Sequence, residues 1–440
     1  MRGFPFLILI LILILISMYQ VTRLENGLTV ATAEMPHMAS VSLGIWVGVG
    51  GRCEAEAVSG ISHFIEHLLF KGTRRRSARE ISQAVEGIGG YLNAFTSEEH
   101  TCFYSRARHD RFDELLDVLA DMFLHSTFEA GEIAKEREVI KEELAMYMDQ
   151  PQQYVQELLN ATLWPGQPLG RSITGTEKTL DAISRGQILE FQRQNYTAAG
   201  TLLAAAGRLT HRQVVKAAAG YAAKFHGGAR CGFAPATAAQ TRPAVRLCTK
   251  KTEQTQIAFG VRACSRHHER RYALRLLNAV LGENMSSRLF QTVREDQGLA
   301  YSIYSGNSFF DDTGDLVISA GLDLANLEKT LRIILRELKR LREEPVGAAE
   351  LGRARDYLIG QLDLSLESTE NQMMWVGEQW LGYGKIFAPE LVKKRLREVR
   401  AAEVRAAARE FIRPDQFNLA LVSPLKSARG LEKLLAAAQF

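Results

Sequence analysis

The chain has 440 residues, 46% hydrophobic and 24% charged, with a formal net charge of +4 at pH 7. That length exceeds one ordinary core and predicts two domains or more, and the composition is globular rather than disordered. So modest a charge, with no Lys/Arg stripe interleaved with aromatics, argues against a nucleic-acid binder.

From the N-terminus, Phe4 to Ile16 is almost pure Leu/Ile after Arg2. The run is shorter than the roughly 20 residues a bilayer needs, and no small-residue cleavage site follows it. Three readings of residues 1–17 stand: a membrane anchor, an uncleaved export signal, or an overcalled start with Met18 as the true initiator. The last is preferred, and it implies a cytoplasmic protein. Asn26-Gly27 between short alternating runs predicts a hairpin. Val41 to Gly50 reads as a buried strand, and Ser59 to Phe70 as a short apolar helix. Arg74, Arg75 and Arg76 read as a solvated loop after that helix. A second strand region covers Tyr91 to Arg106, and helices are expected over Phe112 to His125 and Ala130 to Met148. His226 to Pro243, rich in Gly, Ala, Thr and Pro, has the signature of a linker.

Beyond the linker the same order returns. Strands are expected over Gln256 to Val261, Ala300 to Ser305 and Asp315 to Leu322. Helices are expected over Ala273 to Leu281, Leu327 to Arg342 and Ala348 to Leu366. Phe191 to Gly207 and Ala408 to Pro424 both read as a helix end, a break and a buried strand, which suggests a duplicated plan. The expected fold is α+β: two similar domains, residues 18–225 and 244–440, each with helices packed on a largely antiparallel sheet. Five widely spaced cysteines without a CxxC pair fit reduced thiols.

Residues 63 to 67 read HFIEH. On a helix, positions i and i+4 share a face, so His63 and His67 can hold one metal ion, with Glu66 on the same arc. Imidazole and carboxylate ligands suit Zn²⁺ with a position left open for water; the metal acidifies that water and Glu66 takes its proton. H-x-x-E-H should arise by chance in only roughly one or two such chains per hundred. Three ionisable groups among Ile61, Phe64, Ile65, Leu68, Leu69 and Phe70 are costly to bury unless something coordinates them. The helix from Ala130 to Met148 is the best source of a third ligand. Its stripe is Ile133, Ile140 and Leu144; Glu136 and Glu143 share a face at the edge of that stripe, while Glu138 and Glu142 point toward water. Helical geometry thus favours Glu143 or Glu136 without choosing between them.

HFIEHLLFKGT, with GGYLNAFTSEEHT at Gly89 to Thr101 and EREVIKEELAMYMDQP at Glu136 to Pro151, resembles the inverzincin peptidases. These include the insulin-degrading enzymes and the mitochondrial processing peptidases. The likeness extends from about Met18 to Pro424 and is greatest to bacterial half-length members similar to the processing-peptidase β subunit. It implies His63, His67 and Glu143 as ligands of one Zn²⁺, Glu66 as catalytic base and Glu136 as an accessory catalytic carboxylate. It implies that Asn93 and Ala94 lie on a strand edge that takes up substrate as an added strand. MSSRLFQTVREDQGLAYS, Met285 to Ser302, matches the family's C-terminal segment, in which Arg294 and Tyr301 would polarise the scissile carbonyl and stabilise its oxyanion. Leu281 to Asn284 lacks the long glycine tract of processing-peptidase α subunits.

Full-length relatives close four such domains into a clamshell, so this chain corresponds to half of one. The expected partners are peptide substrates and a second subunit. A homodimer would be self-sufficient, a heterodimer is the alternative, and Arg294 and Tyr301 would act on their own chain's zinc or the partner's. The expected activity is a zinc-dependent metalloendopeptidase. Its rivals are a non-catalytic scaffold and a processing subunit inert without its partner.

Overall fold

In a computed structural model, residues 18–438 are described. Among them no helix is long and apolar enough to cross a membrane. The Phe4 to Ile16 run, with its three readings, lies outside the described residues.

The chain forms two compact units. The first holds a six-stranded sheet of β1 (Tyr19–Arg23), β2 (Thr29–Glu34), β3 (Ser40–Val47), β4 (Tyr91–Thr96), β5 (Thr101–Arg108) and β6 (Thr201–Gly207), in the order β1-β2-β6-β3-β5-β4. The second holds five strands, β7 (Ala244–Thr249), β8 (Thr255–Ala263), β9 (Ala300–Phe309), β10 (Gly314–Leu322) and β11 (Asn418–Ser423), in the order β7-β11-β8-β10-β9. Without β1, the two orders are one connectivity. Each sheet is antiparallel but for one parallel pair, β2 with β6 and β7 with β11. The α+β class and the repeated plan are therefore present, and the sheets are mixed at that one pairing.

Sheet faces explain the continuous apolar run around β3. Leu43, Ile45 and Val47 join a core beneath the helices Ile61–Leu69 and Phe112–His125. Trp46, one residue out of phase, joins the opposite face. There it meets the helix Thr369–Tyr383, with indole Nε1 donating to Met373 Sδ at 3.3 Å. A strand buried on both faces loses the alternation that marks a half-exposed one.

Contacts do not follow the linear order of the chain. Thr369–Tyr383 comes late in the sequence and covers the first sheet. Pro151–Leu163 comes early and packs Val155, Leu159 and Leu163 on the second, against Ala258, Ala420 and Val422. Of the segment 226–243, residues to Ala234 belong to the first unit and those from Pro235 to the second. Arg52 anchors the earlier part, its guanidinium 3.8 Å from the Phe233 ring centroid and bonded to Ala234 O.

Arg75 and Arg76 are paired, not simply solvated. Arg75 bonds both carboxylate oxygens of Asp117 at 2.9 Å. Arg76 bridges Asp117 and the fully buried Asp121, which also accepts from Thr73. The run clamps the chain to the helix Phe112–His125, because a carboxylate placed in the core needs a cation beside it.

Ile61–Leu69 starts where it does for local reasons. Gly60 has φ +94°, and the buried carboxylate of Glu54 accepts from Gly60 N at 2.7 Å and Ser62 N at 2.8 Å. Glu54 thereby caps orphan helix N–H groups and places negative charge at the positive end of the helix. A Cβ on Gly60 would meet Thr174 O at 2.7 Å, whereas one on Gly89, also at positive φ, would meet nothing within 4 Å. Gly89→Ala is therefore expected to cost about 1 kcal/mol, from backbone strain alone. Gly60→Ala should cost about 2 kcal/mol or more and loosen the helix that carries HFIEH. Urea unfolding midpoints read the difference; equal losses would show that the contact with Thr174 is relieved.

Candidate metal centre

The helix Ile61–Leu69 buries Ile61, Phe64, Ile65, Leu68 and Leu69, which turns His63, Glu66 and His67 to its other face. The two imidazole rings stand 4.6 Å apart between centroids. Across from them runs the helix Ala130–Asp149, which buries Ile133, Ile140 and Leu144 and exposes Glu138 and Glu142. Glu143 Oε2 lies 3.8 Å from His63 Nε2 and 3.6 Å from His67 Nε2. One ligand atom from each of His63, His67 and Glu143 falls within 4.8 Å of the others. In a tetrahedral zinc site with bonds of ~2.0–2.1 Å, ligand atoms stand roughly 3.3 Å apart. The donor set and its spacing fit such an ion.

Glu136 has a different position. Its Oε2 is 3.2 Å from His67 Nδ1, and its Oε1 pairs with Lys71 Nζ at 2.8 Å. An Nδ1–H donated to Glu136 leaves the Nε2 lone pair of His67 facing Glu143, the tautomer a metal needs. Glu136 thus stands behind His67 as a positioning residue. Both oxygens of the expected accessory carboxylate therefore have partners, His67 and Lys71.

The proton affinities of the site follow from burial and charge. Burial, and then His67, push His63 down to about 4, with Glu143 opposing, so His63 is neutral at neutral pH. Burial also works to lower His67, but Glu143 and Glu136 outweigh it and hold its pKa above the ordinary value. Burial, aided by Glu143, raises Glu66 against the bond from Thr96 and the charge of His67. In the metal-free protein a proton on His67 competes for Nε2. Zinc affinity is therefore expected to rise with pH and to fall about tenfold per unit below the raised pKa of His67. Calorimetric titrations at several pH values test this; an affinity flat from pH 8 to 5 would contradict it.

Asn93 and Ala94 lie on β4, an edge strand of the first sheet. The Ala94 amide donates to its neighbour, Asn93 Oδ1, at 2.9 Å. Such an edge can add a strand. Arg294 and Tyr301 belong to the second unit. Arg294 is on a turn of π-helix, Phe290–Glu295, and Tyr301 near the start of β9, 75% exposed. The Arg294 guanidinium lies 4.9 Å from the Phe290 ring and 5.5 Å from the Tyr301 ring. The structure brings this pair together, on a helix irregularity of a type frequent at functional sites.

Sequence reasoning missed Glu54, Lys71 and Thr96. Thr96 Oγ1 donates to Glu66 Oε2. The first two support the metal face, through Gly60 and Glu136; none lies in a motif that spacing alone would single out.

Residues 29–177 match the model of insulinase, peptidase family M16, and residues 182–358 match the M16 inactive domain. Over 404 residues the chain is 38% identical to the protein named uncharacterized zinc protease YmxG of Bacillus subtilis, covering 91% of this chain and 97% of that one. The chain belongs to peptidase family M16. A Streptomyces coelicolor member, also named an uncharacterized zinc protease, is 38% identical over 413 residues, 92% of this chain and 89% of its own. Two solved structures share the fold. A protease from Helicobacter pylori gives a TM-score of 0.86 at 20% identity, covering 92% of this chain and 99% of its own. A Pseudomonas fluorescens structure titled peptidase M16 inactive domain gives 0.86 at 19%, covering 93% and 99%. The M16 relatives match this chain nearly end to end, which agrees with the half-length format. HFIEH and Glu143 lie in the segment matched by the first M16 model, Arg294 and Tyr301 in that matched by the second.

Proposed function

We propose that the chain is a zinc-dependent endopeptidase that cleaves peptides or unfolded protein segments. The convergence of His63, His67 and Glu143, with Glu66 on the same helix face, carries the reading. A zinc ion held by these three residues supplies Lewis acidity, which polarises a carbonyl oxygen and acidifies water. Glu66 is the base: it takes the proton of the attacking water and passes it to the leaving amine nitrogen. Glu136 holds His67 in its ligating tautomer. A substrate strand adds to β4 at Asn93 and Ala94 through main-chain bonds, which favours loose sequence selectivity. Arg294 and Tyr301 stabilise the developing oxyanion. A second copy of the chain completes the working enzyme, and a related subunit is the alternative.

The rival readings are a scaffold and a subunit inert alone. An intact ligand set speaks against the scaffold. Protein beginning at Met18 should cleave an internally quenched peptide, lose that activity to a chelator and regain it with zinc. Zinc retained without cleavage would sink the self-sufficient enzyme in favour of a missing partner or a scaffold.

A further inference from the structure

Glu66 is held at one oxygen only. Thr96 Oγ1 donates to Oε2 at 2.5 Å, and Oε1 accepts no hydrogen bond from any described residue. An ionised carboxylate only accepts, so the direction of the bond is fixed. Behind Thr96 stands its cross-strand partner Thr101, fully buried, with Oγ1 3.4 Å from Thr96 Oγ1. Thr101 gives its proton to Val49 O at 2.9 Å, and at 3.4 Å its hydroxyl competes poorly with Glu66 Oε2, 2.5 Å away, for the Thr96 proton. Thr96 ends β4, the strand whose edge carries Asn93 and Ala94. It makes no hydrogen bond to His63, His67 or Glu143.

We propose that Thr96 is a positioning residue for peptide hydrolysis: by holding Oε2 it aims Oε1 of Glu66 at the reacting water. This rests on the peptidase reading above. Base and substrate are then referred to one element. The strand that receives the peptide also sets the orientation of the carboxylate, so a peptide seated on β4 is in register with its base. General-base catalysis is steep in this geometry, and a misplacement of about 1 Å can cost roughly 100-fold.

The test compares wild type, Thr96→Val, which keeps the shape without the hydroxyl, and Thr96→Ser, which restores the hydroxyl. Thr96→Val should lose about 10- to 100-fold in kcat, with KM within about twofold and zinc content unchanged. Thr96→Ser should recover to within about threefold of wild type. A purely structural role would move KM, zinc content and kcat together. Undiminished kcat in Thr96→Val would overturn the proposal, as would a Thr96→Ser as impaired as Thr96→Val. Crystal structures give a readout that needs no activity: the Glu66 carboxylate should turn in Thr96→Val and stay in Thr96→Ser. A carboxylate unmoved in Thr96→Val would overturn the proposal even in a protein that cleaves nothing. Absence of cleavage by wild type is instead a failure of the peptidase reading, and leaves the orientation of Glu66 to be judged by itself.

Discussion

Glu66→Gln is expected to keep its zinc and lose about 1,000-fold or more in kcat. The substitution preserves the shape of the side chain and can keep an acceptor for Thr96, but an amide cannot take a proton from water at neutral pH. Burial has already raised Glu66 above an ordinary carboxylate, which brings its proton affinity nearer to working pH and makes its loss costly. None of His63, His67 and Glu143 is altered, so zinc measured on the same sample should match wild type. A variant that still cleaves within tenfold of wild type would remove Glu66 from the role of base. One that loses its zinc as well would show that Glu66 helps to hold the metal.

The second large effect separates the two carboxylates on the helix Ala130–Asp149. Glu136→Gln removes the partner behind His67 and should weaken zinc binding about 10- to 100-fold, the usual consequence of losing an outer partner. Glu143→Gln removes a ligand from the cluster itself and should weaken it further, to the point where purified protein holds little zinc. Competition with a chelating dye orders the two. The reverse order would mean that Glu136, not Glu143, is the third ligand.

That distinction also marks the reach of the sequence. Seven residues apart on one helix, Glu136 and Glu143 share a face, and periodicity favours both over Glu138 and Glu142. Their roles depend on which turn of that helix crosses opposite His67, a tertiary fact with no local signature. The resemblance to known peptidases chose Glu143, and the geometry places Glu143 at the two Nε2 atoms. HFIEH was legible because an amphipathic helix fixes its own facing residues. Glu54 was not, since it caps the helix from a loop outside the usual capping register. Thr96 was not, since it reaches Glu66 only after β4 has paired with β5.

The same contrast holds for the fold. The strand and helix texts of both halves were readable, and so was their repeated order. Which sheet each helix covers was not. Pro151–Leu163 and Thr369–Tyr383 each pack on the sheet of the other half of the sequence, because burial is decided by facing surfaces and not by chain order. Arg294 and Tyr301 are ordinary as a helix-end arginine and a strand tyrosine. Only an exposed ring with a guanidinium beside it makes the pair conspicuous.

The most direct test of the zinc centre is metal content by mass spectrometry on folded, purified protein beginning at Met18. About one zinc per chain is expected in wild type, with little in the double variant His63→Ala/His67→Ala. A folded wild-type protein without stoichiometric metal, unable to take up zinc when it is supplied, would contradict the assignment of this site.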